Sequence, residues 1–286
     1  MRSRSIPIRL YDSLLVRVLT CCDLDPRSWR LFGGICQQWA HQVASHPVQS
    51  RTQVTLRDPD NLDLLINNGW PIRMLTLDLD YEVTVDPPRS WAQLTYLHLY
   101  DITNHDFSFL DSLKSLETLR IEGVCGSIAN FNKLDREIPL QTLCIDQCDR
   151  ITDLSHLKYF TSLSELTLCS STCSDFSFIR SLSQLQSLDL TCCLVDNCDL
   201  ALFPTTLVKL VLETCDRITE VDPLAKLTQL RYLDLSHCEF IESVRPLATL
   251  NLNFLSITDT AISTEGVQAV LHLPYVEAGH LDGRTP

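Results

Sequence analysis

Two stretches decide the architecture: LQTLCIDQCDRITDLSHLKYF (Leu140–Phe160) and LVKLVLETCDRITEVDPLAKL (Leu207–Leu227). In the first, Leu140, Leu143 and Ile145 are apolar, and Thr142, Cys144 and Asp146 alternate between them. Alternation of period two marks a short strand with one buried face. A cysteine follows eight residues after each opening, at Cys148 and Cys215. Beyond it, Ile151, Leu154, Leu157 and Phe160 recur at three-residue spacing, as do Ile218, Val221, Leu224 and Leu227. That period suits a short helix or 3-10 turns packed behind the strand.

The opening phrase, L-x-x-L-x-L, recurs along the chain. Ile72, Leu94, Leu116, Leu140, Leu163, Leu185, Leu207, Leu230 and Leu252 open it, with spacings of 22, 22, 24, 23, 22, 22, 23 and 22 residues. Self-similarity at about 20–29 residues with this phrase is the signature of a leucine-rich repeat solenoid. The expected fold is therefore α/β, with a parallel sheet on the concave face and short helices or 3-10 turns on the convex side. One strand cannot bury its apolar face alone, and stacking many buries it continuously.

Nine full repeats run from 72 to 272, and the ends read as caps. RTQVTL (Arg51–Leu56) puts Val54 and Leu56 in phase as a first strand, and LPYVEA (Leu273–Ala278) reads as a weak last one. STEGVQAVLHL (Ser263–Leu273) reads as a more helical arm. The stretch Val124–Pro139 lies in the longest repeat, is the least regular, and is expected to bulge at the rim.

The position eight after each opening reads Ile102, Val124, Cys148, Ser171, Cys193, Cys215, Cys238 and Thr260. The chain turns sharply there, and a small side chain with a donor can satisfy turn backbone groups. A thiol does so weakly while packing as a small hydrophobe. This slot accounts for four of the thirteen cysteines. The odd count, the long chain and the short, Arg17-interrupted apolar run Leu14–Val16 argue against a secreted disulfide scaffold. Cys169 with Cys173, or Cys192 with Cys193 and Cys198, lack the paired units of a structural zinc site, so no metal or cofactor is expected.

The chain has 286 residues, and its net charge of −13 disfavours general nucleic-acid binding. No apolar run approaches the ~20 residues that span a bilayer. Residues 1–51 hold seven of the 23 bases and three of the 36 acids, leaving sixteen bases against thirty-three acids beyond. Two modules of opposite charge follow, 1–50 and 51–286.

Residues two, four, six and seven after each opening are expected to face outward on the concave side. Asp78, Asp101, Glu122, Asp146, Glu165, Asp189, Glu213, Asp234 and Asp259 fall there, against Arg120 and Lys209, with His98 and His237. Such a wall steers a basic partner, unless the acids serve only solubility. Tyr96 and Tyr100 near one end and Tyr232 and Phe254 near the other add anchor-type side chains. The scarcity of concave Arg and Lys disfavours a phosphate pocket.

The segment 10–47 has a different pattern. Leu10, Leu14, Leu15, Val18 and Leu19 share a helical face, Asp25–Pro26 reads as a cap with proline opening a second helix, and Trp29, Phe32, Ile35, Cys36 and Trp39 share a side of it. Leu14–Leu15, Val18–Leu19, LDPRSW (Leu24–Trp29), ICQQW (Ile35–Trp39) and ASHP (Ala44–Pro47) follow in an order that resembles the F-box. Tyr11 stands where that family has proline, with Ile6–Pro7 displaced upstream, and Trp29 stands for a leucine. Gly33–Gly34 weaken the helix by about 1 kcal/mol each.

The resemblance to an F-box protein with leucine-rich repeats implies a small three-helix module and a substrate-recognition adaptor of an SCF-type cullin–RING E3 ubiquitin ligase. A Skp-type adaptor would bind Pro7, Leu10, Leu14, Leu15, Leu24, Pro26, Ile35 and Trp39, and a protein substrate would bind the concave face, in the cytoplasm or nucleus. A second reading makes the segment a cap on a non-catalytic scaffold. MRSRSIPIRLYDSLLVRVL also has the Arg- and Ser-rich, acid-poor character of a mitochondrial transit peptide. No phosphate loop, nucleophile elbow or H-E-x-x-H stands in the chain, so an enzyme is not expected.

Overall fold

A computed structural model describes residues 53–56, 73–78, 89–100, 108–123, 134–147 and 153–279. The 1–50 module and its expected adaptor-binding residues lie outside them. Eleven strands form one sheet in strict sequence order, every neighbouring pair parallel. They are β1 (Gln53–Leu56), β2 (Met74–Asp78), β3 (Tyr96–Tyr100), β4 (Thr118–Glu122), β5 (Thr142–Asp146) and β6 (Glu165–Cys169). Then come β7 (Ser187–Asp189), β8 (Lys209–Val211), β9 (Tyr232–Asp234), β10 (Phe254–Ser256) and β11 (Val276–Glu277). Each repeat supplies one strand, and both terminal segments read as caps join the sheet.

The repeat phrase explains the core. Leu116, Leu119 and Ile121, like Leu207, Leu210 and Leu212, are fully buried. The alternate residues face the other side, so β2 and β4 show the same alternation of half-buried and buried positions. One apolar cluster runs from Leu75 to Leu273.

The return path is made of 3-10 turns at Arg89–Gln93, Ser108–Ser112, Ser155–Tyr159, Ser177–Ser181, Asp222–Lys226, Arg245–Thr249 and Gln268–Val270. Leu154, Leu157 and Phe160 reach the core from one arm, and Ile218, Val221, Leu224 and Leu227 do so from another, as a three-residue period requires. Asp153 and Asp175 each accept the backbone N–H two residues on, opening two of these turns. Among the described residues, two short α-helices occur, Asn197–Leu200 and Thr264–Val267, the second inside the arm expected to be more helical. Among the described residues, no helix is long and apolar enough to cross a membrane.

The turns out of β4 to β10 use one device. The seventh residue after the opening is left-handed in repeat after repeat: Gly123, Gln147, Ser170, Cys192, Thr214, His237 and Asp259 all have φ between 53° and 68°. Positive φ is uncommon outside glycine, yet the neighbouring repeat fixes it here. The N–H of Ser170 bonds Thr191 O, that of Cys192 bonds Glu213 O, and that of Thr214 bonds Ser236 O. The seventh position is therefore a turn at the end of the strand and not part of the concave strand face, which moves Asp259 and His237 to its edge.

The next residue fills the thiol slot. Cys193 Sγ donates to Leu168 O at 2.7 Å, Cys215 to Leu190 O at 3.2 Å and Cys238 to Leu212 O at 3.1 Å. Each thiol thus satisfies a carbonyl of the preceding repeat, as expected of a small donor in that place. Burial raises all three thiol pKa values, that of Cys193 to about 12 and that of Cys238 to about 11, so they are protonated donors at neutral pH.

The described part of the irregular repeat, 134–139, packs against the convex arms. His156 Nε2 bonds Leu134 O at 2.6 Å and Lys114 pairs with Asp135. A shallow groove of about 430 Å³ opens there, with Asp111, Arg136 and Glu137 on its walls.

Candidate functional site

The concave wall is a grid set by the strand register. One row runs Met74, Tyr96, Thr118, Thr142, Glu165, Ser187, Lys209, Tyr232 and Phe254. The next runs Thr76, His98, Arg120, Cys144, Thr167, Asp189, Val211, Asp234 and Ser256. Asp78, Tyr100, Glu122, Asp146 and Cys169 continue a third. Parallel pairing without slippage gathers residues about 22 apart in sequence into neighbours.

At the N-terminal end Glu122 is the hub. Its Oε1 accepts from Arg120 Nε at 3.0 Å and Nη2 at 2.5 Å. Cys144 Sγ is 3.9 Å from the same oxygen, and His98 Nε2 stands 3.5 Å from Oε2. His98 Nε2 makes no hydrogen bond, so its approach to Glu122 is an ion pair only when the imidazole carries a proton on both nitrogens. Tyr100 meets His98 edge-on, with ring centroids 6.2 Å apart, and is 45% exposed. Burial raises the Tyr96 phenol, opposed by the Arg120 charge. Burial likewise pushes the Cys144 thiol up to about 11, again against Arg120. This thiol is neutral at physiological pH and faces a carboxylate, so the cluster holds charge in place and has no activated nucleophile.

The C-terminal end is built differently. Tyr232 and Phe254 stack with centroids 4.4 Å apart and planes 5° apart. Tyr275 continues the stack on Phe254 at 5.2 Å and 13°. Lys209 Nζ caps the other end, 5.3 Å from the Tyr232 centroid. The pairing of Tyr232 with Phe254 follows from the expected positions of both. Tyr275 and Glu277 are not among the residues expected on this face from the sequence, because those stop with the repeat opened by Leu252. Tyr275 lies 21 residues beyond Phe254 and sits in phase in LPYVEA, a signal that was available.

The acids divide by what they already bind. Asp189 Oδ1 accepts from Thr191 N and Oγ1, at 3.1 and 2.7 Å, and Asp234 Oδ1 accepts from Ser236 N and Oγ, at 3.0 and 2.5 Å. These two shape their own turns. Asp259 pairs with His237 at 3.1 Å. Asp78 and Asp146 also have partners. Glu165, Glu213 and Glu277 have no hydrogen-bond or ion-pair partner for their carboxylates among the described residues. Asp101 lies outside the described residues. The wall is acidic as expected, with fewer freely available charges than its sequence suggests.

No protein-family model and no curated protein matches the chain. Solved structures do. An internalin, InlF, of Listeria monocytogenes aligns over 79% of this chain with a TM-score of 0.63 and 24% identity. A leucine-rich repeat protein of Leptospira interrogans aligns over 80% with a TM-score of 0.57 and 19% identity. The functional domain of InlJ from Listeria monocytogenes, described as including a cysteine ladder, aligns over 79% with a TM-score of 0.55 and 20% identity. This chain covers 66%, 64% and 46% of those chains, respectively. At such identities the likeness concerns the fold, which is the leucine-rich repeat solenoid.

Proposed function

We propose that this chain is the substrate-recognition adaptor of an SCF-type cullin–RING E3 ubiquitin ligase. The repeats hold a protein on the concave wall, and the 1–50 module docks on a Skp-type adaptor through Pro7, Leu10, Leu14, Leu15, Leu24, Pro26, Ile35 and Trp39. One observation carries the reading: the F-box-like order of Leu14–Leu15, LDPRSW and ICQQW ends just before the sheet begins at Gln53. A solenoid with anchor-type aromatics and charges on its inner wall is suited to holding a macromolecule. Thiols engaged as hydrogen-bond donors fit a reducing compartment, the cytoplasm or nucleus.

Capture by a purified Skp-type adaptor tests the proposal. Full-length protein should bind, and Leu14→Asp with Leu15→Asp should abolish binding while the repeats stay folded. Absence of binding, or binding indifferent to that double substitution, overturns it. A scaffold with a helical cap rests on the concave wall alone. Partner binding that survives deletion of residues 1–48, without any ligase subunit, would favour that reading.

A further inference from the structure

The aromatic stack occupies a row that does not need aromatics. The same strand position holds Thr118, Thr142, Glu165 and Ser187 in the middle of the sheet, and the sheet pairs there without interruption. From β9 onward the row changes to Tyr232, Phe254 and Tyr275, stacked nearly parallel. Tyr275 is 53% exposed although Phe254 covers one of its faces. Its exposure therefore comes from the opposite face and the ring edges. On β11, Val276 packs against the core, so Tyr275 and Glu277 flank it on the outer side. The Glu277 carboxylate is exposed and has no partner among the described residues.

The charge around the stack has one sign apart from Lys209. Asp234, Glu277, Asp189 and Glu213 all lie close enough to raise the Tyr232 phenol, after burial itself. Lys209 shows that the rack accepts a cation over a ring face at one end. At the other end, no ring or cation among the described residues covers the second face of Tyr275. Flat stacking faces also suit nucleic-acid bases. A phosphate backbone, however, would meet the unpartnered Glu213 and Glu277 carboxylates. A guanidinium is planar, stacks on aromatic faces and binds carboxylates bidentately, and a lysine ammonium does only part of this.

We propose that the C-terminal end of the wall is a docking site for an arginine-bearing segment of a partner protein, its guanidinium stacked on the open face of Tyr275 and held by Glu277. The proposal rests on the reading of the repeats as the protein-holding surface and names the chemistry that surface selects. Glu213 extends the acidic border, so a further basic residue in the same segment finds a partner along the stack.

Panning a phage library of short random peptides on the full-length protein, followed by titration of the enriched peptides by fluorescence anisotropy, tests this. The enriched peptides should carry arginine. Changing that arginine to lysine, or Glu277→Gln or Tyr275→Ala in the protein, should each weaken binding about tenfold. Glu277→Gln removes only the charge of an exposed side chain that has no partner among the described residues, so it tests the site even if Tyr275→Ala loosens the last strand. Three results would each overturn the proposal: enrichment of arginine-free peptides, affinity unmoved by Glu277→Gln, or displacement of the peptide by an oligothymidine strand. If arginine-free peptides bind elsewhere on the wall, the protein-holding reading survives and this docking site does not. Adaptor capture depends on residues 1–50 and is independent of either outcome.

Discussion

The two ends of the concave wall use similar residue types to different effect. Near β3 and β4, Tyr96, His98, Tyr100, Arg120 and Glu122 form a cluster whose charges satisfy each other. Near β9 to β11, three rings stack face to face beside Glu213 and Glu277, whose carboxylates have no partner among the described residues. A carboxylate already shared with a guanidinium would have to release it before taking a new cation. An unpaired one need only lose water. The difference is the reason the cation site is proposed at the C-terminal end, although both ends look alike in composition.

The strongest way to break the comparison is to remove what both ends share. Leu188 is fully buried at the centre of β7. Leu188→Ala should cost about 2–5 kcal/mol in urea unfolding and impair both ends together, because one core supports them.

Alkaline pH acts next, and unevenly. The Cys193 and Cys238 thiols have folded pKa values raised to about 12 and about 11, from an ordinary value of 9.0. A raised thiol pKa stabilises the fold below the unfolded value and is lost as pH climbs through the folded one. Stability should therefore fall from about pH 9 upward, by at most ~1.4 kcal/mol per pH unit for each thiol. Cys238→Ser keeps a donor that does not titrate, so urea unfolding at pH 8 to 11 should show a shallower fall for the variant. Equal slopes would remove the thiols from the explanation.

A smaller effect separates the ends directly. Phe254→Thr installs the residue type found in the same row at β4 and β5, and should cost about 0.5–1.5 kcal/mol by removing the middle of the stack. Tyr100→Thr loses only an edge contact and should cost under about 0.5 kcal/mol. Equal costs in chemical denaturation would mean the stack is no more than surface.

A change as small as that at Tyr100 is expected at Glu122. Arg120 and Glu122 are 40% and 21% exposed, so the solvent-screened pair is worth about 0.5 kcal/mol. Glu122→Gln should lose that amount at low salt and almost none in concentrated salt. It should also leave Arg120 free, making this end of the wall repel the basic peptides that the other end holds.

Much of the fold was legible because each repeat states the same thing twice. Leu143 and Ile145 fix a strand face by period two, while Leu154, Leu157 and Phe160 fix the return arm by period three. The thiol slot was legible for the same reason: Cys193, Cys215 and Cys238 sit at a constant offset and a turn there needs a small donor. The left-handed turn was not legible. Gln147, Ser170, Cys192, Thr214, His237 and Asp259 share no chemistry, and the positive φ of Ser170, Cys192, Thr214 and His237 goes with N–H groups bonded to the next repeat. The candidate site was legible as a composition and not as an arrangement. Tyr232 and Phe254 were both placed on the wall and Tyr275 stands in phase with them, but the stacking of the three rings required the register of β9, β10 and β11.

The sequence alone determined the solenoid, its period and its thiol slot, because those depend on which residues must leave water at fixed intervals along the chain. Only the tertiary structure decided which acids are free and which aromatics meet. Partners such as Arg120 and Glu122 lie in one strand, but His98 and Glu122, Lys209 and Tyr232, or Phe254 and Tyr275 become neighbours only through the pairing of successive repeats. Whether a charge is neutralised depends on distances of a few ångströms that the pairing of whole strands sets.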